Sequence, residues 1–120
     1  KIKMWAIGDS NIFLIKKNKL KNLFPIKKIS DFSNFTEVLD SIPQKNNYQI
    51  KYAEWEIDSG DVLILSTDAF SKWFLWAALC GQKPWKKIQK KLSKIDRFIE
   101  LLRYEKKISD DDTSFIFIKI

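Results

Sequence analysis

Acidic residues stand at the ends of apolar runs in three places in this sequence. Asp68 follows the run Val62–Leu65 and leads into a second apolar stretch. Three adjacent aspartates, Asp110 to Asp112, precede the run Phe115–Ile118, and Asp9 lies between two shorter apolar runs. Because apolar runs bounded by polar residues are typical of buried strands, we expect each carboxylate at the rim of a sheet rather than on a flexible tail.

This arrangement favours a site for a divalent metal ion. Three adjacent aspartates repel one another, and solvent or a cation relieves the repulsion. Mg²⁺ and Mn²⁺ are bound through one or a few carboxylates plus waters. If the two apolar runs form neighbouring strands, Asp68 and one aspartate of the triplet would converge on such an ion. The sequence contains no His, which excludes a His-based zinc site, a Ser-His-Asp triad or a Cys-His pair built from this chain alone.

Each carboxylate also has a purely structural interpretation. Aspartate is a preferred helix N-cap residue, so Asp68 could simply cap the helix that follows it. The triplet could be a solvated loop. Asp9 and Asp61 both lie beside a Gly, a combination typical of turns. Position alone leaves these interpretations open beside metal binding.

Three motifs emerge when the acidic residues are taken in order. The first is Ala6-Ile7-Gly8-Asp9-Ser10, the second runs from Gly60 to Ala69 as Gly-Asp-Val-Leu-Ile-Leu-Ser-Thr-Asp-Ala, and the third is Asp110-Asp111-Asp112-Thr113 before an apolar run. On these motifs the chain resembles the protein phosphatase 2C family of metal-dependent serine/threonine phosphatases, in which "vGDS", "GDxllLxTDG" and "DDxT" or "DNxT" occur in the same order. The resemblance spans nearly the whole chain, although residues 26–47 and the helical block match only loosely.

The resemblance implies a fold, an activity and ligand roles. The fold would be α+β, part of a phosphatase 2C-like β-sandwich flanked by helices in α-β-β-α layers, with residues 1–120 as the C-terminal portion of a single domain. Asp68 and Asp110 would be ligands of a pair of Mg²⁺ or Mn²⁺ ions, and Asp9 would help to hold a third, weaker ion, whereas Asp61 would be a turn residue. The reaction would be hydrolysis of a phosphomonoester on a phosphoprotein by metal-activated water, without a covalent intermediate on any side chain of this chain.

Part of the family's active site has no counterpart in the chain. The family carries a "DGxGG" segment whose Asp bridges both metals, together with a phosphate-binding Arg, whereas the three glycines here are isolated from one another. Two motif positions also differ, with Ala69 in place of the usual Gly and Asn11 in place of the frequent Arg. We therefore expect the bridging groups upstream of Lys1, and we expect the 120 residues alone to be inactive.

Length and composition indicate one domain with a substantial core. The chain has 120 residues, enough for one domain, and 45% are hydrophobic, including five Trp and nine Phe. The longest uncharged apolar stretch, around Phe74 to Cys80, is far short of the roughly 20 residues of a membrane span, and no signal peptide is recognisable. The lone Cys80 excludes an internal disulfide and is predicted to be buried. These features favour a cytoplasmic protein without a membrane partner, and they do not indicate its oligomeric state.

Apolar periodicity predicts the order of the elements. Strands Ile2–Ala6 and Ile12–Ile15 are predicted to form a hairpin through a Gly-Asp turn, and Gly81 is predicted to end a helix over Ala69–Leu79. The remaining predicted elements are a strand over Leu20–Phe24, a short helix over Phe35–Leu39, a strand over Tyr48–Ile57 with a bulge near Ala53, buried strands Val62–Leu65 and Phe115–Ile118, and one helix or two, broken near Ser93, between Pro84 and Leu102.

Two other functions are compatible with the sequence. One is a phosphatase-like module that binds partners without turnover. The other is a basic nucleic-acid-binding domain, since the net charge is +7 and cations cluster after Pro84, namely Lys86, Lys87, Lys90, Lys91, Lys94 and Arg97. Lysines opposite an apolar stripe are more typical of a solvated helix face. Because Trp85 and Phe98 fall on or beside the apolar side and base stacking requires exposed rings, we expect no nucleic-acid partner.

Overall fold

The computed structural model describes residues 1–6, 8, 10–30, 50–108 and 113–120. Its strands are β1 (Ile2–Ala6), β2 (Asn11–Lys16), β3 (Lys19–Phe24), β4 (Lys51–Trp55), β5 (Val62–Ser66) and β6 (Phe115–Lys119). Its helices are α1 (Asp68–Leu79), α2 (Pro84–Lys91) and α3 (Ile95–Tyr104), with a 3₁₀ turn at Leu92–Lys94. The α+β class is confirmed. The helix predicted over Phe35–Leu39 lies outside the described residues.

Four strands form an antiparallel sheet in the order β3-β2-β5-β6. A tight turn joins β2 to β3, and its two residues, Lys17 and Asn18, have φ angles of 49° and 60°. Such left-handed pairs make the two-residue turns whose twist matches that of the flanking strands. The strand β2 is apolar on both faces, with Phe13 and Leu14 both fully buried, and this explains why it lies between two neighbours rather than at an edge.

The predicted hairpin of the first two strands is wrong. Instead, β1 pairs with β4 in a separate two-stranded antiparallel sheet. This pairing matches two half-exposed, alternating strands, and it places Lys3 opposite Glu54. Gly8, whose φ of +91° suits glycine, lies between β1 and β2, where the chain passes from one sheet to the other. The bulge predicted near Ala53 is also wrong, because Ala53 faces Met4 in a continuous register.

One face of the four-stranded sheet carries the helices and the main hydrophobic core. Phe13 of β2 lies against Phe74 of α1, with ring centroids 4.4 Å apart, and Phe70 stacks on Phe115 of β6 at 5.1 Å. Seven of the twelve residues of α1 are buried, as its nearly uninterrupted apolar sequence requires. Packing of this kind dominates folding stability, and it fixes α1 across the strands.

The opposite face of the sheet is covered over only part of its width. Leu14 and Leu63 face each other across β2 and β5 and are buried. Nearby, Phe24 meets Trp55 of the two-stranded sheet edge to face, at 6.5 Å. Beyond them, Ile116 and Ile118 of β6 are 57% and 41% exposed. The prediction of a fully buried last strand is therefore wrong, because β6 is an edge strand with only one face on the core.

The helical block begins at Pro84, as predicted, and it consists of two helices separated near Ser93. Pro84 occupies the first turn of α2, and the 3₁₀ turn Leu92–Lys94 separates α2 from α3. The helix α1 ends in a Schellman motif, in which the N–H groups of Gly81 and Gln82 donate to the carbonyls of Ala78 and Ala77. The prediction that Cys80 is buried is wrong, because this residue follows the last turn of α1 and is exposed. Among the described residues, no helix is long and apolar enough to cross a membrane.

Candidate functional site

The antiparallel order of the sheet brings three motif-bearing segments to one edge. The strand β5 ends there at Ser66, which faces Asn11, the first residue of β2. On its other side Ser66 faces Phe115, the first residue of β6. The three residues therefore form a row at the edge where β5 ends and its two neighbours begin.

Backbone pairing continues one residue beyond this row. The N–H of Thr67 donates to the carbonyl of Ser114 at 3.0 Å. In return, the N–H of Ser114 donates to Oγ1 of Thr67 at 3.1 Å. Thr67 is the N-cap residue of α1, but its side chain makes no capping bond. Its hydroxyl instead fastens the segment that leads into β6, directly beside the start of α1.

Asp68 is the first residue of α1 and is half-buried. Its Oδ1 accepts a hydrogen bond from the N–H of Ala69 at 2.8 Å. The interpretation of Asp68 as the N-cap is wrong by one residue, since Thr67 takes that position. A carboxylate in the first turn is still favoured by the helix dipole, and this interaction holds it at the sheet edge.

Asp9 and Asp110, the other two predicted ligands, lie outside the described residues, as do Asp111 and Asp112. The described parts of their segments reach the edge just defined, because β2 begins at Asn11 and β6 begins at Phe115. Convergence of Asp68 with the triplet requires that the strand before Asp68 and the strand after the triplet be neighbours. The pairing of β5 with β6 confirms this condition. Metal binding by these carboxylates stays a prediction.

A buried polar framework lies beneath this edge. Asn11 is fully buried; its side-chain amide donates to the carbonyl of Ile26 at 3.1 Å, and its Oδ1 accepts from the N–H of Ile26 at 2.7 Å. Ser71 of α1 donates to the carbonyl of Ser66 at 3.0 Å, and the two hydroxyls are 2.6 Å apart. These bonds tie α1 and the segment after β3 to the strand ends that form the edge.

Sequence reasoning missed this framework. Asn11 was noted only as the residue that replaces an Arg of the resembled family. The available signal was a polar residue at the start of a run that is otherwise apolar on both faces, because a buried amide requires partners for both its donor and its acceptor.

The opposite end of the sheet holds a different acidic group. Asp61 is 5% exposed, and its Oδ2 accepts from Lys16 Nζ at 2.5 Å and from the N–H of Asp58 at 2.8 Å. The bond from Lys16 lowers the pKa of Asp61. The pKa of Lys16 is raised, first by its bond to Asp58 and then by its bond to Asp61. The prediction that Asp61 is a turn residue is confirmed, because its N–H donates to the carbonyl of Asp58 at 3.1 Å. Its lysine partner is a finding of the tertiary structure.

Comparison of the chain with protein-family models, with curated proteins and with solved structures finds no match in any of the three.

Proposed function

We propose that this chain is the C-terminal part of a phosphatase 2C-like, metal-dependent phosphatase domain. Asp68, Asp110 and Asp9 would form one wall of its metal site. The observation that supports the proposal most is the row of Asn11, Ser66 and Phe115. One of these three residues follows the first motif, one belongs to the second and one follows the third, whereas nothing in the sequence alone requires three distant segments to share one edge.

The ligand chemistry at this edge suits Mg²⁺ or Mn²⁺. Carboxylate oxygens and water are the ligands that these ions prefer. Ions bound there would supply an activated water for attack on a phosphomonoester. The chain's own contribution is positional: the N–H of Ala69 orients the Asp68 carboxylate, and the bonds between Thr67 and Ser114 hold the start of β6 beside it.

Binding of Mn²⁺ to the chain, measured by isothermal titration calorimetry, tests the ligand assignment without requiring turnover. We expect Asp68→Asn and Asp110→Asn each to weaken Mn²⁺ binding by about tenfold or more, in line with the loss of a ligand's charge. Asp58→Asn is the control, because Asp58 is an exposed aspartate at the opposite end of the sheet. Equal Mn²⁺ affinity in all three variants would contradict the proposal.

A non-catalytic, phosphatase-like binding module is the alternative favoured by one specific observation, the absence of a "DGxGG" segment from the chain. The sequence upstream of Lys1 discriminates between the two. An intact "DGxGG" segment there supports catalysis, and its absence supports a module that binds a partner.

The nucleic-acid alternative gains no support from the lysine-rich helix. Trp85 is 7% exposed and donates from Nε1 to Asn18 at 2.8 Å, so its ring packs inward. The lysines of α2 are exposed, as a solvated face requires.

A further inference from the structure

A concave, strongly basic cleft lies between α1 and the segment that follows α3. Its volume is about 540 Å³, which is within the range typical of small-molecule sites, roughly 300 to 1,000 Å³. We call it the basic cleft and define it by four cations and two aromatic residues, namely Lys72, Arg103, Lys106, Lys107, Trp73 and Trp76. It is separate from the row of strand ends and was not anticipated from the sequence.

One wall of the basic cleft is a single face of α1. Trp76 lies four residues after Lys72 and three residues after Trp73, so its side chain is a neighbour of each on the helix surface. Trp73 is 5% exposed and is held by an edge-to-face contact with Phe98 at 5.8 Å. Trp76 is 47% exposed. The wall therefore combines a buried ring, Trp73, with a half-exposed ring, Trp76.

The charged side chains among the described residues that line the basic cleft all have one sign. Four of its lining residues are cations, and none of its described lining residues is Asp or Glu. A neighbouring cavity of about 480 Å³ shares Arg103 but is also lined by Asp96 and Glu100, so the excess of positive charge belongs to the basic cleft and is not general to this part of the surface. Clefts lined by one sign of charge concentrate ligands of the opposite sign.

Two of the cations have defined surroundings. Arg103 donates from Nη2 to Oγ1 of Thr113 at 3.2 Å, which links α3 to the segment leading into β6. Lys107 lies 3.7 Å from Glu105, and both side chains are more than 40% exposed. An exposed pair at this distance contributes little, so Glu105 does not prevent Lys107 from binding an anion.

We propose that the basic cleft binds a phosphate-bearing ligand with a flat aromatic ring, the chemistry of a nucleoside phosphate. The cations bind the phosphate groups, and the ring stacks on the exposed face of Trp76, as bases stack on aromatic side chains. The cleft adjoins the candidate metal edge, because Ala69, which lines it, directly follows Asp68. The proposal concerns binding alone and does not depend on metal ions or on phosphatase activity.

Isothermal titration of the whole chain with ATP, in EDTA and at low salt, tests the proposal. Trp76→Ala removes the stacking surface and Lys72→Glu reverses one charge of the cleft, and both side chains are exposed. Their matched controls are Tyr104→Ala, which removes an exposed ring, and Lys86→Glu, which reverses an exposed charge on α2; neither residue lines the basic cleft. Unfolding temperatures measured in parallel identify any variant that is not folded.

The expected result is that ATP binds, that Trp76→Ala and Lys72→Glu each weaken binding about tenfold, and that the two controls stay within about twofold of the wild type. Inorganic tripolyphosphate should bind more weakly than ATP and should be insensitive to Trp76→Ala. Three results would overturn the proposal: no binding of ATP, equal weakening by Lys72→Glu and Lys86→Glu, or tripolyphosphate binding as tightly as ATP. The second of these indicates attraction by net charge alone.

Discussion

At the scale of single residues, two aspartates of one motif have different environments at the two ends of β5. Asp61 is buried and bonded to Lys16 at one end, where its charge is balanced. Asp68 is half-buried at the other end and makes no ion pair among the described residues. A carboxylate that is paired internally serves stability, whereas one held at a sheet edge without a lysine is available to an external cation. This contrast favours Asp68 over Asp61 as a ligand.

The pair of Asp61 and Lys16 predicts a particular dependence of stability on pH. Because the pKa of Asp61 is lowered in the folded state, its contribution is fully present above the unfolded value of about 3.9 and is lost as the pH falls through the lowered pKa. Because the pKa of Lys16 is raised, its contribution is fully present below about 10.4 and is lost as the pH rises through the raised pKa.

Asp61→Asn should therefore lower the urea midpoint at pH 7. It should also reduce the loss of stability that occurs as the pH falls below about 5. Urea unfolding curves recorded from pH 2 to pH 7 provide the measurement. Asp58→Asn is the control, because Asp58 contacts the same lysine through a side chain that is 80% exposed and is screened by solvent. A midpoint in Asp61→Asn equal to that of the wild type at every pH would show that the pair contributes nothing.

At the scale of elements, the site edge depends on how β2, β5 and α1 are fastened together. Asn11 begins β2 and binds both backbone groups of Ile26, while Ser71 binds the last residue of β5. All of these groups are buried, so each lost partner leaves a polar atom without water or protein to satisfy it. The framework therefore constrains the position of the edge, because hydrogen bonds are directional.

Asn11→Ala should destabilise the protein by about 2 to 4 kcal/mol, because the N–H and the carbonyl of Ile26 both lose their partner in the core. Chemical denaturation measures this change. Asn22→Ala is the comparison, since Asn22 is a half-buried asparagine on the adjacent strand β3 and should cost less than about 1 kcal/mol. Equal losses in the two variants would mean that the bonds of Asn11 to Ile26 contribute nothing beyond the loss of an asparagine side chain.

At the scale of the whole molecule, the described structure places the proposed site at the rim of a sheet and includes one described candidate ligand, Asp68. The resembled family uses an additional Asp that bridges two ions, and the sequence has no "DGxGG" segment to provide it. A metal site without this bridging Asp would bind the two ions weakly. It would also not hold the attacking water in line, since catalysis of this kind depends on fixed coordination.

The 120 residues alone are therefore expected to show no Mn²⁺-dependent hydrolysis of a serine-phosphorylated peptide at any Mn²⁺ concentration. Under the proposed function, a longer protein that adds a "DGxGG" segment before Lys1 should show turnover, and Asp68→Ala or Asp110→Ala in that longer protein should abolish it. Phosphate release measures both results. Turnover by the 120 residues alone would contradict the proposed incompleteness, and unchanged activity in either variant would contradict the ligand roles.

Patterns that repeat along the chain could be interpreted from the sequence alone. The apolar runs predicted β5 and β6, the spacing after Pro84 predicted the helical block, and a break near Ser93 was considered and found. These signals are local, because the apolar periodicity of a helix or strand is visible within a short run of consecutive residues. The α+β class and the positions of the acidic motifs next to predicted strands follow from the same signals.

Which distant segments pair with each other became clear only from the tertiary structure. The pairing of β1 with β4 instead of β2 joins residues far apart in the chain. The exposure of Ile116 and the lysine partner of Asp61 likewise depend on distant residues. The sequence determined which carboxylates end the strands. The tertiary structure decided that β2, β5 and β6 meet at one edge, because strand order follows from which apolar faces bury each other across the whole molecule.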